Sequence, residues 1–211
     1  MAIFWSNVGV DVQTSLATAV TITGITKANP GVVTATAHGL ANGDYVLLSS
    51  QGMHQLNNKI FRVANKTDNT FELEGENTTS YDTFTSGTAT AITFGASMTT
   101  AQDINVSGGE PEYADTTTIH DSIKQRAPVV TSPMTMTMNN IFKPSDTALI
   151  ELRSATKTLT TRAIKLRFSD GSKIVGNAYV SAPGVPTGSA QQVVQTPVSL
   201  EFQGMPTVYA S

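Results

Sequence analysis

Three kinds of side chain in this sequence could do chemistry. Glu110 with Glu112, and Asp115 with Asp121, are the residue types of a glycosidase acid and base. That reaction needs two carboxyls held several ångströms apart across a cleft by rigid elements. Here Glu110, Glu112 and Asp115 stand among or after the breakers Gly108-Gly109 and Pro111, which predict a loop over Gly108–Asp115. Solvated or intersubunit carboxylates are therefore the weightier reading. His38, His54 and His120 are scattered and form no H-x-x-x-H or H-E-x-x-H pair. In its glycine turn, His38 is better placed to bond backbone than metal. Met134, Met136 and Met138 alternate with threonines, a spacing open to soft-metal or redox chemistry but better explained by core packing.

The remaining routes to catalysis are thin. There is no G-x-S-x-G elbow, no phosphate-binding loop and no G-x-G-x-x-G. With no cysteine, thiol nucleophiles, disulfides and Cys-ligated zinc or iron–sulfur sites are excluded. Asn65-Lys66-Thr67, Asn77-Thr78-Thr79 and Asn105-Val106-Ser107 match the glycosylation sequon, but 32 Thr and 18 Ser produce such matches by composition. No catalytic set, metal or cofactor is expected.

The elements that must position these residues are mostly strands. Only 14% of the 211 residues are charged, against the usual quarter or so. The start, MAIFWSNVGVDVQ, lacks a basic stretch followed by an apolar one, so no secretory signal is expected. No apolar run approaches a membrane span. Short β-branched runs at 21–25, 32–37, 45–48, 59–64, 70–73 and 87–94 are separated by turn chemistry such as Asn29-Pro30-Gly31 and Asn42-Gly43. They predict a small all-β unit over 21–94.

The second half predicts a methionine-faced strand at 134–138, a helix over 145–156 started by Pro144-Ser145-Asp146, and a hairpin. The hairpin's strands, 163–168 and 174–180, meet at Ser169-Asp170-Gly171-Ser172. A polar loop, 181–189, leads to a last strand in which Val194, Thr196, Val198, Leu200 and Phe202 share a face. Pro197 lacks a donor, so this strand should be at an edge or bulged.

Charge is segregated. Residues 94–142 carry −3 and residues 143–173 carry +4, within a chain of net −3. A protein that polymerises could use that asymmetry. The plainer alternative is solvated faces.

The ordered series over 95–206 resembles the major tail tube protein of long, non-contractile-tailed bacteriophages. It runs from Gly108–Asp115 and Thr116–Ser122 through the methionine strand, the capped helix and Ala163–Gly171 to Ile174–Val180 and Gln192–Met205. The stretch 21–94 resembles a small β module recurrent in phage structural proteins. Its scaffold is similar to the first catalytic-cysteine half-domain of ubiquitin-activating enzymes. The carrying residues are Ile25–Pro30, Ala37–Leu40, Asn42-Gly43-Asp44, Gly52-Met53, Leu56-Asn57 and Phe71-Glu72-Leu73. Without cysteine, no ubiquitin chemistry carries over.

The resemblance implies a mainly β fold: a tail-tube β-sandwich or barrel flanked by one helix (1–20 plus 95–211), with the small all-β module (21–94) inserted on the exterior. It implies no enzyme activity. It also implies self-assembly into hexameric rings stacked as a virion tail tube, built in the host cytoplasm. Tape-measure protein and then double-stranded DNA would occupy the lumen, weakly held. Terminator and tail-tip proteins would close the ends, and no membrane is involved.

By the same analogy the loop Gly108–Pro133 and an N-terminal arm, Met1–Thr14, would contact the next ring. Asp103, Glu110, Glu112, Asp115 and Asp121 would meet Lys143, Lys157, Arg162, Lys165 and Arg167 of a neighbour, with intramolecular or solvated charge as the alternative. Other readings are a carbohydrate- or receptor-binding β module, or another tail protein on the same scaffold, such as terminator, baseplate hub or sheath.

Overall fold

The computed structural model describes residues 8–210. Sixteen strands and one helix follow one another as β1 (Gly9–Leu16), β2 (Val20–Ile22), β3 (Gly24–Ile25), β4 (Val32–Thr34), β5 (Tyr45–Gln51), β6 (Ile60–Ala64), β7 (Thr70–Leu73), β8 (Ser86–Met98), β9 (Ala101–Ser107), β10 (Pro111–Asp115), β11 (Arg126–Thr131), β12 (Thr135–Ile141), α1 (Thr147–Thr158), β13 (Thr161–Arg167), β14 (Lys173–Ser181), β15 (Gln195–Phe202) and β16 (Thr207–Tyr209). The fold is mainly β with one helix, as expected. All pairings are antiparallel, and one ladder runs β3-β4-β7-β6-β5-β8-β1-β13-β14-β15-β12-β9. Only β10 and β11 stand apart, as a two-stranded sheet of their own.

Apolar alternation builds two cores on this ladder. One gathers Val10, Val12, Met136, Met138, Ile164, Val198 and Leu200 under Leu149 and Leu152 of α1. The methionines are thus packing residues, and Thr137 between them faces solvent. The other core, around Leu48, Met53, Leu56, Phe61 and Phe71, fills the small β unit. Strand β8 serves both. Its first half, Ser86–Ala91, pairs with β5, and its second half, from Ile92 to Met98, pairs with β1. The boundary expected at 94/95 therefore falls inside one strand.

A third apolar cluster seals the junction: Tyr45, Ile60, Ile92, Ala163, Val175 and Tyr209. Polar contacts follow the same seam. Arg62 N donates to Tyr209 Oη at 2.8 Å, Thr207 Oγ1 to the Ile60 carbonyl at 3.3 Å, and Asn177 Nδ2 to that of Asn58 at 3.3 Å. Arg62 also ion-pairs with Glu74 and lies 4.7 Å over the Tyr209 ring.

Helix α1 starts one residue after its cap. Asp146 Oδ1 accepts from the amides of Ala148 (3.0 Å) and Leu149 (3.2 Å), the orphan donors of a first turn. Its Oδ2 accepts from Thr99 Oγ1 (3.3 Å) and Thr100 Oγ1 (3.5 Å), tying the helix to the β8–β9 turn. The helix ends at Leu159, left-handed at φ 53°, where glycine is the usual residue.

Three expectations need correction. From Gly9 onward the N-terminal segment is not an arm: β1 lies between β8 and β13, with Val10 and Val12 buried. Residues 1–7 of that expected arm lie outside the described residues. The stretch 108–133 is a β-hairpin rather than a loop, because strand pairing satisfies the backbone around Pro111. Pro197 sits in an inner strand, but where it does no harm. β14 pairs only with residues 199–202 of β15, so the missing donor at Pro197 faces away from β12, where there is no ladder partner.

Candidate assembly surface

Hairpin β10–β11 is the most unusual part of the molecule. Every residue from 110 to 131 is exposed, and the strands pair only with each other. Its root is fixed. Gly108 and Gly109 both have φ near 80°, and a Cβ on Gly108 would lie 2.0 Å from the Pro133 carbonyl oxygen, so only glycine fits. Ser132 N donates to the Glu110 carbonyl at 2.9 Å, and Glu110 N to Ser132 Oγ at 3.1 Å. A free two-stranded hairpin is marginal in water, yet this one displays Tyr113 (57% exposed), Ile119 (97%) and Ile123 (74%). A lone chain gains nothing from that display.

Behind the root, a cleft of about 600 Å³ opens toward the small β unit, lined by His54, Lys59, Tyr81, Pro133, Met134 and Met205. Beside it β9 forms the outer edge of the main ladder, with one row of backbone groups unpaired.

The acidic residues singled out by sequence gather here. Asp103 lies on edge strand β9, Glu112 and Asp115 on β10, Glu110 at the root and Asp121 at the tip. None of the five makes an ion pair among the described residues. Hydrogen bonds from Thr117 hold the Asp115 carboxyl below its ordinary range, and those from Thr118 do the same for Asp121. Both are therefore charged at neutral pH. No cleft separates Glu110 from Glu112 as a glycosidase would require.

The basic residues divide into two groups. Lys143, just before α1, and Lys157, in its last turn, have no ion pair among the described residues, and Arg162 reaches Glu151 only at 3.9 Å. Lys165 and Arg167 instead hold Asp11 across the β1–β13 ladder, at 3.2 and 2.6 Å. Burial raises the Asp11 pKa, but Arg167 and Lys165 together bring it below the ordinary value. Lys165 also lies 4.4 Å over the Phe94 ring. The sequence reading missed Asp11 as a partner because β1 was not recognised as a strand.

Among the described residues no three His, Asp or Glu side chains gather to hold a metal. The buried His38 is occupied: Nδ1 accepts from Leu40 N at 3.1 Å, and Nε2 lies 3.3 Å from the Thr70 carbonyl. Among the described residues no helix is long and apolar enough to cross a membrane.

A protruding hairpin, an open sheet edge and uncommitted opposite charges are features of a subunit that joins other subunits. Over residues 51–211 the chain matches the family model described as phage tail tube protein. It belongs to that family. Comparison with curated proteins gives no match. The match begins at Gln51, the last residue of β5, and so takes in much of the stretch expected as an insertion. As a tail tube protein it is a structural component of the virion tail, not an enzyme, and membership implies self-assembly into a tube.

Proposed function

We propose that this tail tube protein closes into hexameric rings that stack into the conduit for genome ejection. The observation that carries this reading is the hairpin over 110–131, wholly exposed and displaying Ile119 and Ile123 at its tip, beside the unpaired edge of β9. Heterologous contacts of this kind close a ring when the rotation closes, and an axial contact stacks rings into a filament. Edge β9 serves the ring, and the hairpin serves the stack.

Asp103, Glu110, Glu112, Asp115 and Asp121 face Lys143, Lys157 and Arg162 of a neighbour. Lys165 and Arg167 are already engaged by Asp11, so their share in a joint runs through Arg167, whose side chain is 46% exposed. The lumen holds tape-measure protein until DNA replaces it. Low charge suits that passage, because each neutralised phosphate adds salt-dependent affinity. Terminator and tail-tip proteins cap the ends, and assembly takes place in the host cytoplasm.

The module over 21–94 lies on the exterior. A tag inserted at the exposed Asn42-Gly43 turn should decorate the outer wall; density inside the lumen would contradict this placement. The deciding experiment is negative-stain microscopy over a concentration series, with light-scattering mass on the same samples. Rings or tubes of uniform width and six-fold end views are expected. A different ring symmetry would overturn the hexamer, and a monomer at every concentration would remove the reading's support.

A further inference from the structure

Strand β12 carries different surfaces at its two ends. At its start, Thr135 pairs with Ser107 of β9, where the chain leaves for the β10–β11 hairpin. At its end, Ile141 pairs with Gln195 of β15, where the chain arrives from the polar loop over 182–194. Seven residues at about 3.4 Å each put roughly 20 Å between hairpin root and loop.

The loop is tied down at both roots. Ala182 N donates to Thr156 Oγ1 at 2.9 Å, next to Lys157, and Phe142 N donates to the Val194 carbonyl at 2.8 Å, next to Lys143. Between them Thr187 and Gln195 exchange backbone hydrogen bonds at 2.7 and 2.8 Å. The loop has no charged residue, yet it displays Val185 (75% exposed), Val193 and Val194 to solvent. Lys143 and Lys157 are themselves exposed and make no ion pair among the described residues. An exposed apolar patch with a polar rim marks an interaction surface.

We propose that the 182–194 loop, flanked by Lys143 and Lys157, seats the β10–β11 hairpin of a second copy of the chain, so that copies stack head to tail. The seat rests on the tube reading and locates its axial joint. Complementarity selects the occupant. The hairpin carries Glu110, Glu112, Asp115 and Asp121 against only Lys124 and Arg126, and its tip displays Ile119 and Ile123. The receiving end offers two free cations around exposed valines, with no carboxylate in the loop. Because the two surfaces lie at opposite ends of the same strand, the contact is heterologous. Each added copy leaves a hairpin free at one end of the stack and a loop at the other, so the stack propagates.

The first test places carboxylates in the seat. Val185→Glu combined with Val193→Glu changes only exposed side chains, so thermal unfolding should be unchanged. Like charge against the hairpin should raise the concentration needed for tubes about tenfold or more, read by microscopy and light scattering.

The second test reads the contact directly. The chain has no cysteine, so Ile119→Cys or Ile123→Cys, each combined in turn with Val185→Cys or Val193→Cys, reports it as a covalent ladder when tubes are oxidised. At least one of the four pairs should give a ladder, and each cysteine alone should give no dimer. Wild-type assembly by the glutamate variant, tubes in which none of the four pairs cross-links, or dimers from a single cysteine would each overturn the seat and leave the tube reading standing. A wild type that never assembles overturns both.

Discussion

The junction between the small β unit and the main ladder differs from the hairpin mainly in what its polar groups have found. At the junction Asp11 holds two cations, Arg62 holds Glu74, and the Tyr209 hydroxyl accepts a backbone amide. On the hairpin, four carboxylates and several large apolar side chains face water. Both regions draw on the same residue types. Charges already satisfied within the chain hold its own fold together, and those left unsatisfied are available to another copy. Damage at the junction should therefore unfold the protein, whereas damage at the hairpin should spare the fold and stop the tube.

The largest effect expected is all-or-none. Excising residues 110–131 and bridging Gly109 to Ser132 with Asn-Gly removes only exposed surface, and Gly109 N already lies 3.3 Å from the Ser132 carbonyl. Stability should change by less than about 0.5 kcal/mol, while tubes vanish from micrographs. Undiminished tube yield would end the assignment of the hairpin to the stack. Removing only 108–115 would be a poorer test, since it strips β11 of its partner.

At the junction, Asp11→Asn should cost about 2 kcal/mol. That is less than the roughly 3–5 kcal/mol of a fully buried pair, because Arg167 is half in water. The pH dependence has a definite sign. The Asp11 carboxyl titrates lower in the folded chain than in the unfolded one, so its contribution is complete above roughly pH 4 and is lost as pH falls through the lowered value. Wild type and Asp11→Asn should therefore differ in chemical denaturation at neutral pH and converge in acid. A constant gap would mean that the ion pair is not what holds β1.

How far this division was legible in the sequence follows from the same physics. One-sided strands announce themselves by alternation, which is why 70–73, the methionine strand and the last hairpin were readable. So was the helix, two residues early, because Asp146 rather than the position before it caps the first turn. Strand β1 was not readable. Asp11 and Gln13 are both buried on its second face, and their partners, Lys165, Arg167 and the Ala163 amide (3.0 Å from Gln13 Oε1), lie some 150 residues away in sequence. The acidic hairpin was located by composition, but its pairing was hidden by Pro111 and the glycines before it. The receiving end gave no signal as a surface, since only the fold brings Lys143, Lys157 and the valines of 182–194 together.

Asp146→Ala tests a contribution of similar size, about 2 kcal/mol. It removes the cap and the tie from α1 to Thr99 and Thr100. Thermal unfolding reads the loss, and tubes should still form at temperatures where the variant is folded. If assembly failed there, the orientation of α1 would itself be part of the joint.

A gain in stability rather than a loss separates the two regions most sharply, because stability and assembly should move in opposite directions. Leu159 takes a left-handed conformation that costs a side-chain-bearing residue about 1 kcal/mol, and its side chain is 81% exposed. Leu159→Gly relieves that cost, so the isolated chain should unfold about 1 kcal/mol later, partly offset by the greater freedom of glycine in the unfolded state. If the leucine is there for a neighbour, the more stable variant should need more protein to build the same tube. If stability rises and assembly is unchanged, the leucine lies outside the joint, and the seat does not extend past Lys157.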